Sequence, residues 1–112
     1  MAKVYRVVTT KRANRDINNI MLNLNSKFGP GAARSAYEAI VEKIDGLAVM
    51  PERHPIYRVD SANNSQTYRW VVAKKVHRII YTFEEEEGVT VIRVRYVGEL
   101  AGNVAIALLE EE

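Results

Sequence analysis

The apolar positions of this chain change their period along its length, and the changes mark out the elements. Lys3 to Thr9 is crowded with β-branched and aromatic residues (Val4, Tyr5, Val7, Val8, Thr9), the pattern of a strand. After Thr9 and Thr10, which suit a helix N-cap, apolar residues recur at three and four: Ala13, Ile17, Ile20, Leu24 and Phe28, with Met21 beside them. That spacing predicts a helix from about Lys11 to Lys27, stopped by Gly29-Pro30-Gly31. A second stripe (Ala33, Tyr37, Ile40, Ile44, Leu47) predicts a helix running to Met50 and ended by Pro51, with Gly46 weakening its last turn. Two amphipathic helices on so short a link form an antiparallel hairpin.

Pro51 to Gln66 breaks the pattern and reads as a long loop. It carries His54 between Arg53 and Pro55, and Asn63-Asn64-Ser65, which fits the glycosylation acceptor pattern but here signals only exposure. Beyond it the chain alternates. Thr67 to Ala73, Val76 to Phe83 and Val89 to Val97 read as three strands, with turns at Lys74-Lys75 and at Glu84 to Gly88. Strand, helical hairpin and three-stranded antiparallel meander together predict an α+β fold: one sheet covered on one face by the helices. Ala101 to Leu109 is apolar and runs into Glu110 to Glu112; the expectation for this tail is a frayed terminus with a helical start.

Side chains of a strand alternate between faces, so parity sorts them. Taking the more apolar set of each strand as helix-facing turns Tyr68, Trp70 and Val72 inward, with His77, Ile79, Tyr81 and Phe83, and with Thr90, Ile92, Val94 and Tyr96. Arg69, Lys75, Arg78, Arg93 and Arg95 are then left together on an open face that holds no acid, and an anion-binding surface follows. His77, Trp70 and Tyr81 are expected to serve the core, while His54 has the chemistry of a general base and the setting of a loop residue.

Length and composition narrow the class. The 112 residues make a single domain, 1–112, with residues 101–112 as its apolar–acidic tail. The absence of cysteine excludes disulfides, a thiol nucleophile and a cysteine zinc site, and two separate histidines offer no other metal centre, so neither metal nor cofactor is expected. No apolar run reaches membrane-spanning length and no leader pattern opens the chain, which makes a cytoplasmic protein without membrane contact the expectation. The net charge of +2 conceals segregation: seven of the 14 acids sit in Glu84 to Glu87 and Glu110 to Glu112. The other 105 residues hold 16 basic and seven acidic side chains, a net of +9, which suits a polyanionic or acidic protein partner.

The order of these elements resembles the toxins of the RelE/ParE superfamily. The resemblance is carried by Leu-Ala-Val-Met-Pro-Glu-Arg-His-Pro at Leu47 to Pro55, by Tyr68-Arg69, by Val76-His77-Arg78-Ile79-Ile80-Tyr81 and by Val89 to Tyr96, and it covers about residues 3 to 100. It implies the toxin of a type II, plasmid-stabilisation type toxin–antitoxin system. The implied partner is a cognate antitoxin, acidic and partly disordered, that wraps the toxin across its basic face; a homodimer or a toxin–antitoxin hetero-oligomer is the implied assembly. One branch of the superfamily inhibits DNA gyrase by binding it, and the long helices here resemble that branch. Another cuts messenger RNA on the ribosome. For that branch Arg78 matches the strand arginine and Arg69 a basic position on the preceding strand, with His54 and Tyr96 as possible accessories. Val71 stands where that strand is usually basic again, and Val97-Gly98-Glu99-Leu100 carries no cation where the family has a basic stretch. A third reading is a non-toxic binding module, either a decayed toxin or a nucleic-acid-binding subunit.

Overall fold

A computed structural model describes residues 3–60, 66–100 and 102–112. The Asn63-Asn64-Ser65 triplet lies outside the described residues. Strand β1 (Arg6–Thr9) leads into helix α1 (Lys11–Phe28) and helix α2 (Pro30–Gly46). Strands β2 (Ile56–Asp60), β3 (Gln66–Ala73), β4 (His77–Glu86) and β5 (Val89–Glu99) follow, and a short helix α3 (Ile106–Leu109) ends the chain. The sheet has the order β1-β5-β4-β3-β2; β1 runs parallel to β5 and the other pairs are antiparallel. The α+β architecture is therefore the expected one, with one strand more than the pattern indicated.

The helical hairpin forms for local reasons. The Thr10 hydroxyl accepts the Ala13 amide at 3.0 Å and caps α1. Gly29, at φ 89°, takes the conformation between the helices that a side chain would resist, and Pro30 starts α2 where a missing N–H costs nothing. Correcting the expected end at Met50, α2 stops at Gly46 and its last turn closes through Leu47. Val49 then makes an isolated bridge to Val4, a Pro51–Arg53 turn of 3-10 helix follows, and β1 begins at Arg6 rather than Lys3.

The loop predicted over residues 51–66 is also corrected. Ile56–Asp60 pairs antiparallel with β3 as an edge strand, with a register shift at Tyr57. Its signal was the Tyr57-Arg58-Val59 alternation, masked by Pro55 before it and polar residues after it. Likewise β4 continues through Glu84, Glu85 and Glu86, and the turn is only Glu87-Gly88, both at positive φ (52° and 80°) as a tight hairpin requires.

The main core lies between sheet and hairpin. Ala13, Ile17, Ile40, Ile44 and Leu47 meet Val71, Ala73, Ile79, Tyr81, Ile92, Val94 and Val97. A second cluster covers the opposite, outer face: Tyr68 and Ile80 from the sheet against Val104 and Leu109 from the tail, flanked by Tyr57, Trp70 and Tyr96. The tail is thus packed and not frayed, and the sheet is buried on both faces.

Candidate binding face

The five cations expected on one open face do not share it. Arg69 pairs across strands with Tyr81, which belongs to the helix-side core, so Arg69 points toward the helices. Its Nη1 donates to the carbonyls of His54 at 2.7 Å and Glu52 at 3.2 Å, and its guanidinium lies over the Phe83 ring. Val71 and Ala73 face inward with it, while Tyr68 and Trp70, expected inside, face outward. Choosing the inner set by apolarity failed on β3 because the tail makes the outer face apolar as well.

On β5 a bulge corrects the parity. Ile80 opposes Tyr96 and Tyr81 opposes Val94, which leaves Arg95 as the extra residue. Tyr96 turns to the outer face and Val97 to the core. Arg93 and Arg95 remain on the outer face as expected, but acids stand beside them. Arg93 Nε donates to Glu84 Oε1 at 3.0 Å and its Nη2 reaches Glu86. Arg95 Nη2 donates to the other Glu84 oxygen, which also accepts the Thr82 hydroxyl at 2.8 Å. Burial alone would raise the Glu84 pKa; the Thr82 hydrogen bond and the two guanidinium groups outweigh it and hold the carboxyl below its ordinary value. Arg93 is shifted the other way: burial opposes its charge, and Glu84 with Glu86 prevails and raises its pKa. The acidic block assigned to a turn thus lies within the face and neutralises it.

Arg78 stands on the outer face, pairs in register with Val72 and Gly98, and is 4% exposed. Its guanidinium carbon lies 5.0 Å from the centre of the Tyr57 ring and 5.9 Å from that of Trp70, a cation held between two aromatic faces. Lys75 sits in the exposed β3–β4 turn at φ 61° and joins neither group.

His54 follows the 3-10 turn with its ring edge-on to Tyr81, the centroids 6.3 Å apart. Burial, reinforced by Arg53, Lys43 and Arg69, lowers its pKa, so it is neutral near pH 7. Tyr96 lies on the outer face, close over Gly98, with the Arg12 guanidinium 5.9 Å from its ring centre. His77 is buried on the helix side, as expected.

Sequence reasoning missed Glu84 and Glu86, which belong to an extended β4, and Arg12, Tyr57 and the tail. Tail acids reach the body of the protein: Glu111 accepts from Arg12 Nη1 at 3.0 Å and from Arg15 Nη2 at 2.8 Å, and Glu112 lies 3.5 Å from Arg95 Nη1. Among the described residues no three His, Asp or Glu side chains gather as a metal site would require, and no helix is long and apolar enough to cross a membrane. The arrangement is a cation–aromatic surface under a short apolar cover, suited to binding.

Comparison with known proteins adds the relatives. Residues 7–100 match the family described as the ParE toxin of type II toxin–antitoxin system, parDE. None of the curated proteins matches. The fold is similar to that in the chromosomal ParDE TA system from P. aeruginosa, at 15% identity and a TM-score of 0.68, covering 89% of this chain and 100% of that one. It is similar also to the fold in the toxin-antitoxin complex RelBE2 from Mycobacterium tuberculosis, at 18% identity and a TM-score of 0.55, covering 88% of this chain and 94% of that one.

Proposed function

The chain belongs to the ParE toxin family of type II toxin–antitoxin systems, and from that premise we propose that it arrests growth by binding DNA gyrase and is neutralised by a cognate antitoxin. The observation that carries the choice of target is the placement of Arg69 and Arg78. Cleavage through a 2′-hydroxyl needs cations converging on one phosphate as its charge develops. These two arginines leave opposite faces of the sheet; one is tied to backbone carbonyls and the other lies between aromatic rings. His54 and Tyr96 are likewise on opposite faces, so the residues of the RNase reading do not form a set. Inhibition by protein–protein contact requires no such convergence. The similarity to a ParDE system supports the same choice, and both similar structures come from toxin–antitoxin systems, which supports an antitoxin as partner.

The test is direct. Purified protein is added to gyrase and relaxed plasmid, and supercoiling is followed on a gel. Loss of supercoiling, restored by the product of an adjacent reading frame, is the expected result. Untouched supercoiling at large excess rejects the gyrase target. Cuts in translated messages that vanish in Arg78→Ala would install the RNase reading in its place, and unimpeded growth on induction without a partner would install the non-toxic module.

A further inference from the structure

The family match ends at residue 100, and the tail that follows covers the outer face of the sheet. Val104 is 4% exposed and Leu109 fully buried, both against Tyr68 and Ile80. The strap is pinned at its start, where the Val104 amide donates to Tyr57 Oη at 2.9 Å and Arg58 Nη1 donates to the Val104 carbonyl at 2.8 Å. It is pinned at its end by charge, through Glu111 to Arg12 and Arg15 and Glu112 to Arg95. Between these points it offers one turn of helix, and before them Gly102 takes φ 73°. Such a segment is held by a few contacts on a surface that does not need it for its main core, since none of its residues belongs to the helix-side cluster.

We propose that the outer face is a docking surface for an apolar, acid-ended segment of the antitoxin, and that residues 102–112 are a tethered stand-in that keeps this surface closed until the antitoxin displaces it. The inference rests on the toxin–antitoxin reading for the identity of the displacing partner. The chemistry of the occupant is read from the tail itself. Val104, Ile106, Leu108 and Leu109 fill an apolar strip lined by Tyr57, Tyr68 and Trp70, and the acids that follow meet Arg12, Arg15 and Arg95. A partner segment of the same order, apolar then acidic, satisfies the same groups. Tethering gives the tail a high effective concentration, on the order of millimolar for a short linker, so a competitor in trans is weakened by the cover and strengthened when the cover is released.

Trp70 is the sole tryptophan and lies beneath the tail, so its fluorescence reports the cover. In the full-length chain, Leu109→Asp places a charge at a fully buried position and should release the strap, shifting Trp70 emission to the red. A synthetic peptide of residues 102–112 should then bind the variant at least tenfold more tightly than it binds the wild type. Equal affinities, or no binding to a folded Leu109→Asp, overturn the proposal and make the tail a permanent layer. Should Leu109→Asp fail to fold, the Glu111→Lys, Glu112→Lys chain keeps the apolar contacts and removes the ionic pins. It should bind the peptide severalfold more tightly than the wild type, and equal affinities overturn the proposal again. An antitoxin that binds wild type and Leu109→Asp equally overturns the shared surface and leaves the toxin–antitoxin reading intact. One that binds neither, while the peptide distinguishes them, overturns that reading and leaves the cover standing.

Discussion

Glu84 on β4 and Arg93 on β5 are joined across the outer face of the sheet by a 3.0 Å hydrogen bond, with only about a fifth of each side chain exposed. The same carboxylate serves Arg95. Glu84→Gln therefore removes the anion between two guanidinium groups that cannot turn fully to water. Breaking a fully buried pair costs about 3–5 kcal/mol, and for this partly solvated one roughly 2 kcal/mol is expected. Because Glu84 titrates below its ordinary 4.5, its contribution is present above that pH and is lost as pH falls through the lower, folded-state value. Urea unfolding at pH 7 should show the full deficit of the variant, and the gap should close in strong acid.

His77 gives the opposite end of the neutral range its own signature. The ring is 8% exposed, its Nδ1 makes no hydrogen bond, and burial, followed by the Lys74 charge, lowers its pKa although Glu99 works against the shift. A lowered histidine contributes stability above its ordinary value of 6.5 that is lost as pH falls through the folded value. Thermal unfolding of the wild type should therefore weaken from pH 7 toward pH 5. His77→Phe, which keeps a flat ring among Leu24, Ala36 and Val76 and removes the titration, should flatten that part of the profile. An unchanged slope would place the acid sensitivity elsewhere.

These two residues also show what the sequence could and could not disclose. The hairpin was legible because its stripes, the Thr10 cap and the Gly29-Pro30 link are local signals, and His77 sorted correctly because β4 is regular where it begins. The ion network was not legible. Four consecutive glutamates read as a turn unless the arginines two strands' width away are known to receive them. The inward placement of Arg69 was hidden for a related reason: with apolar cover on both faces, neither parity set of β3 announces itself as the core. A single bulge at Arg95, which no composition signals, moved Tyr96 to the outer face.

Tyr81 ties the sheet to the turn that follows α2. Its ring is fully buried and its hydroxyl donates to the Pro51 carbonyl at 2.5 Å. Burial raises the phenol pKa to about 12, so the group remains a donor throughout the range in which the protein is handled. Tyr81→Phe leaves the ring in place and the Pro51 carbonyl without its donor. A loss of about 1–2 kcal/mol is expected, measured by chemical denaturation. The supercoiling assay should be affected no more than this loss of folded protein explains.

Gly98 is the position where a single methyl should be felt most sharply. A Cβ built there lies 2.3 Å from Tyr96 Oη and 2.6 Å from its Cζ, so Gly98→Ala forces the Tyr96 ring aside. That ring packs in the outer cluster and lies under the Arg12 guanidinium, which in turn holds Glu111. Overpacking of this kind costs about 1–3 kcal/mol, and here the strain runs into the contacts that seat the tail. Gly98→Ala should lower the unfolding midpoint and shift Trp70 emission toward that of the released strap. Adding Tyr96→Ala relieves the clash, so the double variant should lose less than the sum of the two single losses. Strictly additive losses would show that the Tyr96 ring yields to the methyl group without cost.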